Sequence, residues 1–126
     1  MRIVLLIGIG SFIGGIARYL LSQLIQNKAL VTFPYGTLAV NIVGCFLIGI
    51  VYGVAERSGL SNEWRLFIAT GILGGFTTFS AFSYESINLM RDGQAGAALV
   101  YIAASIMLGL AATFIGLSVG ALSNGQ

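Results

Sequence analysis

Residues 74–83 read GGFTTFSAFS, and the architecture of the whole chain turns on that run. Gly74, Gly75, Thr77, Thr78, Ser80 and Ser83 crowd together there, with Phe76, Phe79 and Phe82 between them. The run lies inside a long apolar stretch, yet adjacent glycines weaken helix continuation and β-branched threonines do not restore it. The expectation is a break near residues 74–78 and a second half-helix starting near Phe79. Irregular backbone at membrane depth survives only where protein buries it or water lines it. Freed carbonyls can hold a cation there, and a half-helix N-terminus attracts an anion. Two readings stay open on residue types alone. One is an ion site at mid-bilayer; the other is a tight helix crossing whose hydroxyls bond back to their own helix.

The rest of the chain supplies the membrane. Of 126 residues, 57% are hydrophobic and only 8% charged, with a mean hydropathy of +0.96. A soluble domain carries about 25% charged residues, and so few could not cover the surface of a chain this size. The reading is an integral membrane protein with a single transmembrane domain over residues 1–126. A net charge of +2, scattered along the chain, is too weak for nucleic acid. There is no histidine and one cysteine, Cys45. That excludes histidine-dependent triads, histidine or multi-cysteine metal sites and an internal disulfide. No nucleophile has a credible base beside it, so the chain does not read as an enzyme. Cys45 sits in an apolar run, where a thiol is usually a small packing residue.

A span needs about 20 mostly apolar residues. The sequence predicts four: residues 3–25, 35–55, 64–90 (broken near 74–78) and 95–122. Met1-Arg2 before an apolar run resembles a signal peptide, but the run continues too far and reads as a retained first helix. Gly10-x-x-x-Gly14 with Gly15, and Gly49-x-x-x-Gly53, let another backbone approach closely. Gln26 to Pro34, Glu56 to Glu63 and Arg91 to Gln94 read as loops, Trp64 marks an interface, and Ser123 to Gln126 is a short polar tail. With four spans both termini lie on one side. That side with the second loop carries Arg2, Arg57 and Arg65, against Lys28 and Arg91 on the other. Three against two is almost no positive-inside bias. The chain therefore reads as able to insert in either orientation and pair as an antiparallel dimer, the alternative being one fixed orientation. Four small spans enclose little, so an oligomer is expected in both cases.

Few polar residues remain within the spans. Thr37 and Asn41 are i,i+4 and share a face, as do Tyr101 and Ser105; the latter face continues to Gly109 and Thr113. Phe79 and Phe82 are i,i+3. One reading is a narrow track lined with N–H and O–H donors; the other is interhelical hydrogen bonding, worth about 0.6–2 kcal/mol per contact. A single serine or threonine favours the second. Asn41, mid-span with an amide that needs several partners, favours the first. No aspartate or glutamate lies at mid-membrane, and donors without carboxylates suit an anion. Aromatic rings have positive edges that can meet a small anion, although paired phenylalanines at helical spacing are usually core. Arg18 could snorkel to the interface or draw anions into a vestibule. Glu85, one turn beyond Phe82, is expected near the opposite mouth or hydrogen-bonded to a neighbouring helix.

Together these features resemble the Fluc (CrcB-type) fluoride ion channel family. Gly36-Thr37-Leu38-Ala39-Val40-Asn41-Ile42-Val43-Gly44 and Gly74-Gly75-Phe76-Thr77-Thr78-Phe79-Ser80-Ala81-Phe82 carry the match. Arg18 and the Tyr101–Ser105 pair support it. The resemblance implies an all-α fold of four transmembrane helices, the third broken, in an antiparallel, dual-topology homodimer with two fluoride pores. It implies that Phe79 and Phe82 line the pores, that Asn41 donates to the ion, and that Tyr101, Ser105 and Thr37 add polar contacts. It implies a structural sodium ion on the dimer axis, held by backbone carbonyls of Gly74 and Thr77 from both subunits. The role implied is passive fluoride export across a bacterial inner membrane. Gly109 departs from the expected polar stripe, leaving the outer track wetter or dependent on Thr113.

Two rivals remain at this point. A small multidrug exporter also has four short spans, but proton coupling needs an embedded carboxylate and only Glu85 is a candidate. A non-transporting assembly subunit would explain the glycine faces but not polar stripes converging on a broken helix.

Overall fold

The computed structural model describes residues 1–29 and 32–123, and every regular element among them is helical. Helix α1 spans Arg2–Ala29 and α2 spans Tyr35–Ser58. The third pass is composite. It opens with α3 (Asn62–Arg65), continues as a π-helical stretch (Leu66–Leu73) and α4 (Gly74–Phe76), and ends with α5 (Phe79–Arg91). Helix α6 spans Ala95–Ser123. Among the described residues, four stretches are long and apolar enough to cross a membrane. At 1.5 Å per residue, the 28 residues of α1 reach about 42 Å, more than the hydrocarbon core of about 30 Å.

The helices run further into the expected loops than composition suggested. Gln26 to Ala29 are helical, and the Gln26 side chain ties this end to the next element. Its Nε2 donates to the Phe33 carbonyl (2.9 Å) and its Oε1 accepts from the Gly36 N–H (2.9 Å). That acceptor satisfies one of the backbone donors left over at the start of α2, where Pro34 offers no side-chain cap. Helix α2 continues through Arg57 and is stopped by Gly59, whose φ of 72° is left-handed; glycine adopts it without a Cβ penalty. Ser61 then caps α3 by accepting from Trp64 N–H. Leu30 and Val31, within the first expected loop, lie outside the described residues, as do 124–126 of the expected tail.

Two glycine seams hold the chain together. Helix α1 lies along the third pass, where a Cβ on Gly14 would fall 1.9 Å from the Ile72 carbonyl oxygen and one on Gly75 2.6 Å from that of Ser11. Helix α2 lies along α6, where a Cβ on Gly49 would fall 2.4 Å from the Thr113 oxygen and one on Gly116 2.2 Å from that of Phe46. Backbones approach this closely only where side chains are absent, and dispersion between them replaces a hydrophobic driving force that lipid does not supply. The predicted Gly10 and Gly49 runs form one side of each seam. The other sides are Gly71-x-x-x-Gly75 and Gly116-x-x-x-Gly120. Gly10 meets Gly71 and Gly49 meets Gly116, so each seam joins two elements running parallel, and the antiparallel connections lie between seams.

The outer faces are apolar. Phe12, Leu20 and Leu24 on α1 and Leu99, Met107, Leu110 and Phe114 on α6 are exposed. A helix apolar on every side belongs in lipid or against another apolar surface. The inner core is small: Leu89, Ala98 and Tyr101 are buried together, with Phe33, Leu38 and Phe82 against them.

Candidate functional site

The site is built on two residues that leave the helix. Thr77 (φ −88°, ψ 158°) and Thr78 (φ −149°, ψ 123°) have extended backbone between α4 and α5. The preceding winding closes on Leu73, whose carbonyl accepts from both the Thr77 N–H (3.0 Å) and the Thr77 hydroxyl (3.1 Å). The following helix opens with Thr78 as its cap, its Oγ1 accepting from Ala81 N–H at 3.2 Å, the usual service of a threonine at that place.

Asn41 on α2 holds this extended backbone. Its Oδ1 accepts from the Thr78 N–H (2.8 Å) and its Nδ2 donates to the Thr78 carbonyl (3.0 Å). One primary amide thus satisfies both polar groups of a residue that lies outside helical pairing, groups whose unpaired burial would be costly. The pairing has a consequence upstream. In a continuous helix the Thr78 N–H would donate to Gly74 O and the Ala81 N–H to Thr77 O. Here Asn41 takes the first donor and the Thr78 hydroxyl takes the second, so the Gly74 and Thr77 carbonyls are relieved of those partners. Gly74 also lies exposed on the surface of the chain.

Beside the opening is a cleft of about 330 Å³ lined by neutral residues, among them Asn41, Cys45, Thr78, Phe79, Phe82 and Ser105. Phe79 and Phe82 meet with ring centroids 5.6 Å apart, tilted by 48°. Phe79 is 77% exposed, so its ring projects from the chain. The Ser105 hydroxyl oxygen is buried with no hydrogen-bond partner among the described residues. Asn41, which spends one of its two amide N–H groups on Thr78, keeps a second.

Thr37 and Tyr101 stand behind Phe82 instead of in this cleft. Tyr101 is wholly buried, its ring 5.3 Å from that of Phe82. The Tyr101 hydroxyl donates to Glu85 Oε1 (2.9 Å) and the Thr37 hydroxyl to Glu85 Oε2 (3.0 Å). Glu85 therefore has both carboxylate oxygens engaged. It also borders a second opening of about 340 Å³, with Gln26, Asn88 and Asp92. Of the two expectations for Glu85, hydrogen bonding to a neighbouring helix holds, with partners on α2 and α6, and a place at the mouth opposite Arg18 does not. Because α1 and the third pass run parallel through the Gly10–Gly71 and Gly14–Gly75 meetings, the chain beyond Phe79 heads the same way as the chain beyond Arg18. Glu85 lies beside the first turn of α2, and neighbouring Gly36 abuts Ser22, one turn past Arg18. Arg18 itself is half-buried on α1.

The outer part of the α6 stripe holds one hydroxyl, that of Thr113. Thr113 donates to the Gly109 carbonyl (3.1 Å) of its own helix. Thr78 was not singled out from the sequence, although it lies within the quoted run. Its partner is 37 residues away, and no local spacing marks the pair. The nearest signal was the asparagine itself, since a mid-span amide must find several partners.

The model of the family described as "CrcB-like protein, Camphor Resistance (CrcB)" matches residues 5–117. A Rhizobium etli protein named fluoride-specific ion channel FluC is 48% identical over 116 residues, covering 91% of this chain and 93% of that protein. A Thermus thermophilus protein of the same name is 45% identical over 116 residues, covering 92% and 93% respectively. One from Acidobacterium capsulatum, again so named, is 42% identical over 115 residues, covering 90% and 92%.

Proposed function

The chain belongs to the CrcB-like family, and from that premise we propose that it is a fluoride-selective channel, a passive conduit and not an enzyme. The observation that carries the reading is the cleft beside Thr77 and Thr78, where the Asn41 amide and the unpartnered Ser105 hydroxyl face two phenylalanine rings with no carboxylate in the lining. Fluoride is small and strongly hydrated, so a pore must replace its water with several donors while holding it weakly enough to release it. The second Asn41 N–H and the Ser105 O–H are unspent donors. The Phe79 and Phe82 edges add positive potential without a full charge. In this reading the pore assembled from two copies narrows further and excludes larger halides on size.

Beyond Phe82 the route continues past Thr37 and Tyr101, whose hydroxyls hold Glu85 and keep its carboxylate aside from the ion. Arg18 raises local anion concentration at the approach. The exporter reading loses its support here, because the one embedded carboxylate is already bonded on both oxygens.

The functional unit in this reading is an antiparallel homodimer of either-way inserted chains, with two pores. The exposed Phe79 ring and exposed Gly74 suit coverage by a second copy. The Gly74 and Thr77 carbonyls, relieved of their helical donors, fit a sodium ion shared between subunits. When bound, that ion supplies a fixed positive charge and rigidity where the two openings meet. The physiological role is release of cytoplasmic fluoride across the bacterial inner membrane.

The test is efflux from liposomes loaded with fluoride, followed with a fluoride electrode, with chloride-loaded liposomes as control. Rapid fluoride release without chloride release supports the channel. Release of neither ion from folded, dimeric protein rejects it.

A further inference from the structure

The two polar stripes that meet at the cleft are not equally complete. On α2 the i,i+4 series Thr37, Asn41 extends to Cys45, whose thiol lines the cleft together with Asn41, Phe82 and Ser105. On α6 the series Tyr101, Ser105 reaches Gly109, which is buried and carries no side chain. The two positions face one another: a Cβ built on Gly109 would lie 3.6 Å from Cys45 Sγ. One turn back on α6, the buried Ser105 oxygen has no partner among the described residues. A hydroxyl left unpaired in a low-dielectric site costs free energy unless something visits it.

We propose that Cys45 is an ion-contacting residue of the route, its S–H occupying from α2 the level that α6 leaves without a polar group at Gly109. This rests on the fluoride reading above and deepens it. An ion passing Ser105 meets the Cys45 thiol as its next donor. A thiol is a weaker donor than a hydroxyl, which lowers the hold on the ion at this level and suits a step that the ion must leave. A buried cysteine otherwise behaves as a small hydrophobe, and in that role valine would replace it without consequence for flux.

The experiment compares fluoride efflux from liposomes for the wild type, Cys45→Val, Cys45→Ser and the double variant Cys45→Val/Gly109→Ser, each first confirmed dimeric by size-exclusion chromatography. A Cβ added at Gly109 would lie at ordinary van der Waals distance, 3.6 Å, from Cys45 Sγ. Cys45→Val is expected to run about tenfold slower, the scale of one hydrogen bond to a charged partner. Cys45→Ser, which keeps a donor, stays well above it, and Gly109→Ser in the double variant returns most of the loss by offering a hydroxyl from α6 beside position 45. Should Cys45→Val not yield folded dimer, Cys45→Ala removes the same donor and is read in its place, alone and with Gly109→Ser. Wild-type flux in the donor-free variant, or a double variant as slow as the single one, overturns the proposal. Failure of the wild type to conduct fluoride at all would instead refute the channel reading, and the two failures are distinct.

Discussion

The α2–α6 seam and the Thr77–Thr78 opening are both made by small residues, and they do opposite things with the backbone. Along the seam, Gly49, Gly53, Gly116 and Gly120 bring two intact helices so close that a single added carbon would strike a carbonyl or amide. Both helices there keep their regular winding, and across the end of the seam Arg57 Nη1 donates to the Ala121 carbonyl. At the opening, Thr77 and Thr78 leave the helix, and a side chain from another element pairs the released groups. The difference shows that small residues alone do not decide whether a stretch packs or opens. An intact helix at Gly116 needs nothing from its neighbour except absence of a side chain. An extended Thr78 needs a donor and an acceptor, and Asn41 is what supplies both.

That contrast can be broken at either end, and the largest effect is expected in a seam. Gly14→Ala, on the α1 side of the other seam, places a methyl 1.9 Å from the Ile72 carbonyl oxygen. Backbone atoms on both sides cannot give way cheaply, and overpacking of this kind costs about 1–3 kcal/mol or more. The expected outcome is little or no folded protein in detergent extracts. Gly15→Ala, with nothing within 4 Å of the added carbon, should purify like the wild type. Equal yields of the two would mean that the seam is looser than described.

At the opening the expected loss is of flux, not of fold. Asn41→Asp keeps an acceptor for the Thr78 N–H but sets a carboxylate against the Thr78 carbonyl and beside the proposed fluoride route. Fluoride efflux should fall by about a hundredfold or more, since both a charge-assisted contact and the sign of the site are lost. Undiminished efflux from this variant would remove Asn41 from the ion's path.

How much of this was legible beforehand follows from the same contrast. The GGFTTFSAFS run carries its own signal, because glycine and β-branched residues weaken a helix locally, and so the third pass was suspect from its sequence. Gly10-x-x-x-Gly14 and Gly49-x-x-x-Gly53 announced close approach but not the partner runs, since a motif on one helix does not state what it faces. The Asn41–Thr78 pairing and the Glu85 cluster with Thr37 and Tyr101 join residues 37, 48 and 16 positions apart. Such pairings depend on the parallel register of the seams, which residue spacing along one helix does not encode. The misplaced mouth for Glu85 has the same origin.

A smaller effect is expected from the rings. Phe82→Ile and Phe79→Ile each keep an apolar side chain but remove the positive ring edge, and efflux should drop by about tenfold with the dimer intact by size-exclusion chromatography. Phe82 is the sharper of the two, because its ring also touches Tyr101. Normal rates in both would return the rings to ordinary packing. The smallest effect should come from Glu85→Gln, whose single amide oxygen accepts comfortably from only one of the two hydroxyls. That change should cost about 1–3 kcal/mol of stability, read as a lower midpoint in thermal unfolding, while fluoride efflux stays within about threefold of wild type. A loss of flux as large as that of Asn41→Asp would place Glu85 in the ion's path and not beside it.

The most direct measurement of the central claim is the reversal potential of the purified protein in a planar bilayer, with unequal fluoride on the two sides and chloride making up the balance on the low-fluoride side. A neutral cleft lined by Asn41, Ser105 and two phenylalanine rings, read as a fluoride route, predicts current that reverses near the fluoride equilibrium potential and shows no measurable chloride component. A reversal potential near zero, with the two halides carried equally, would contradict the account.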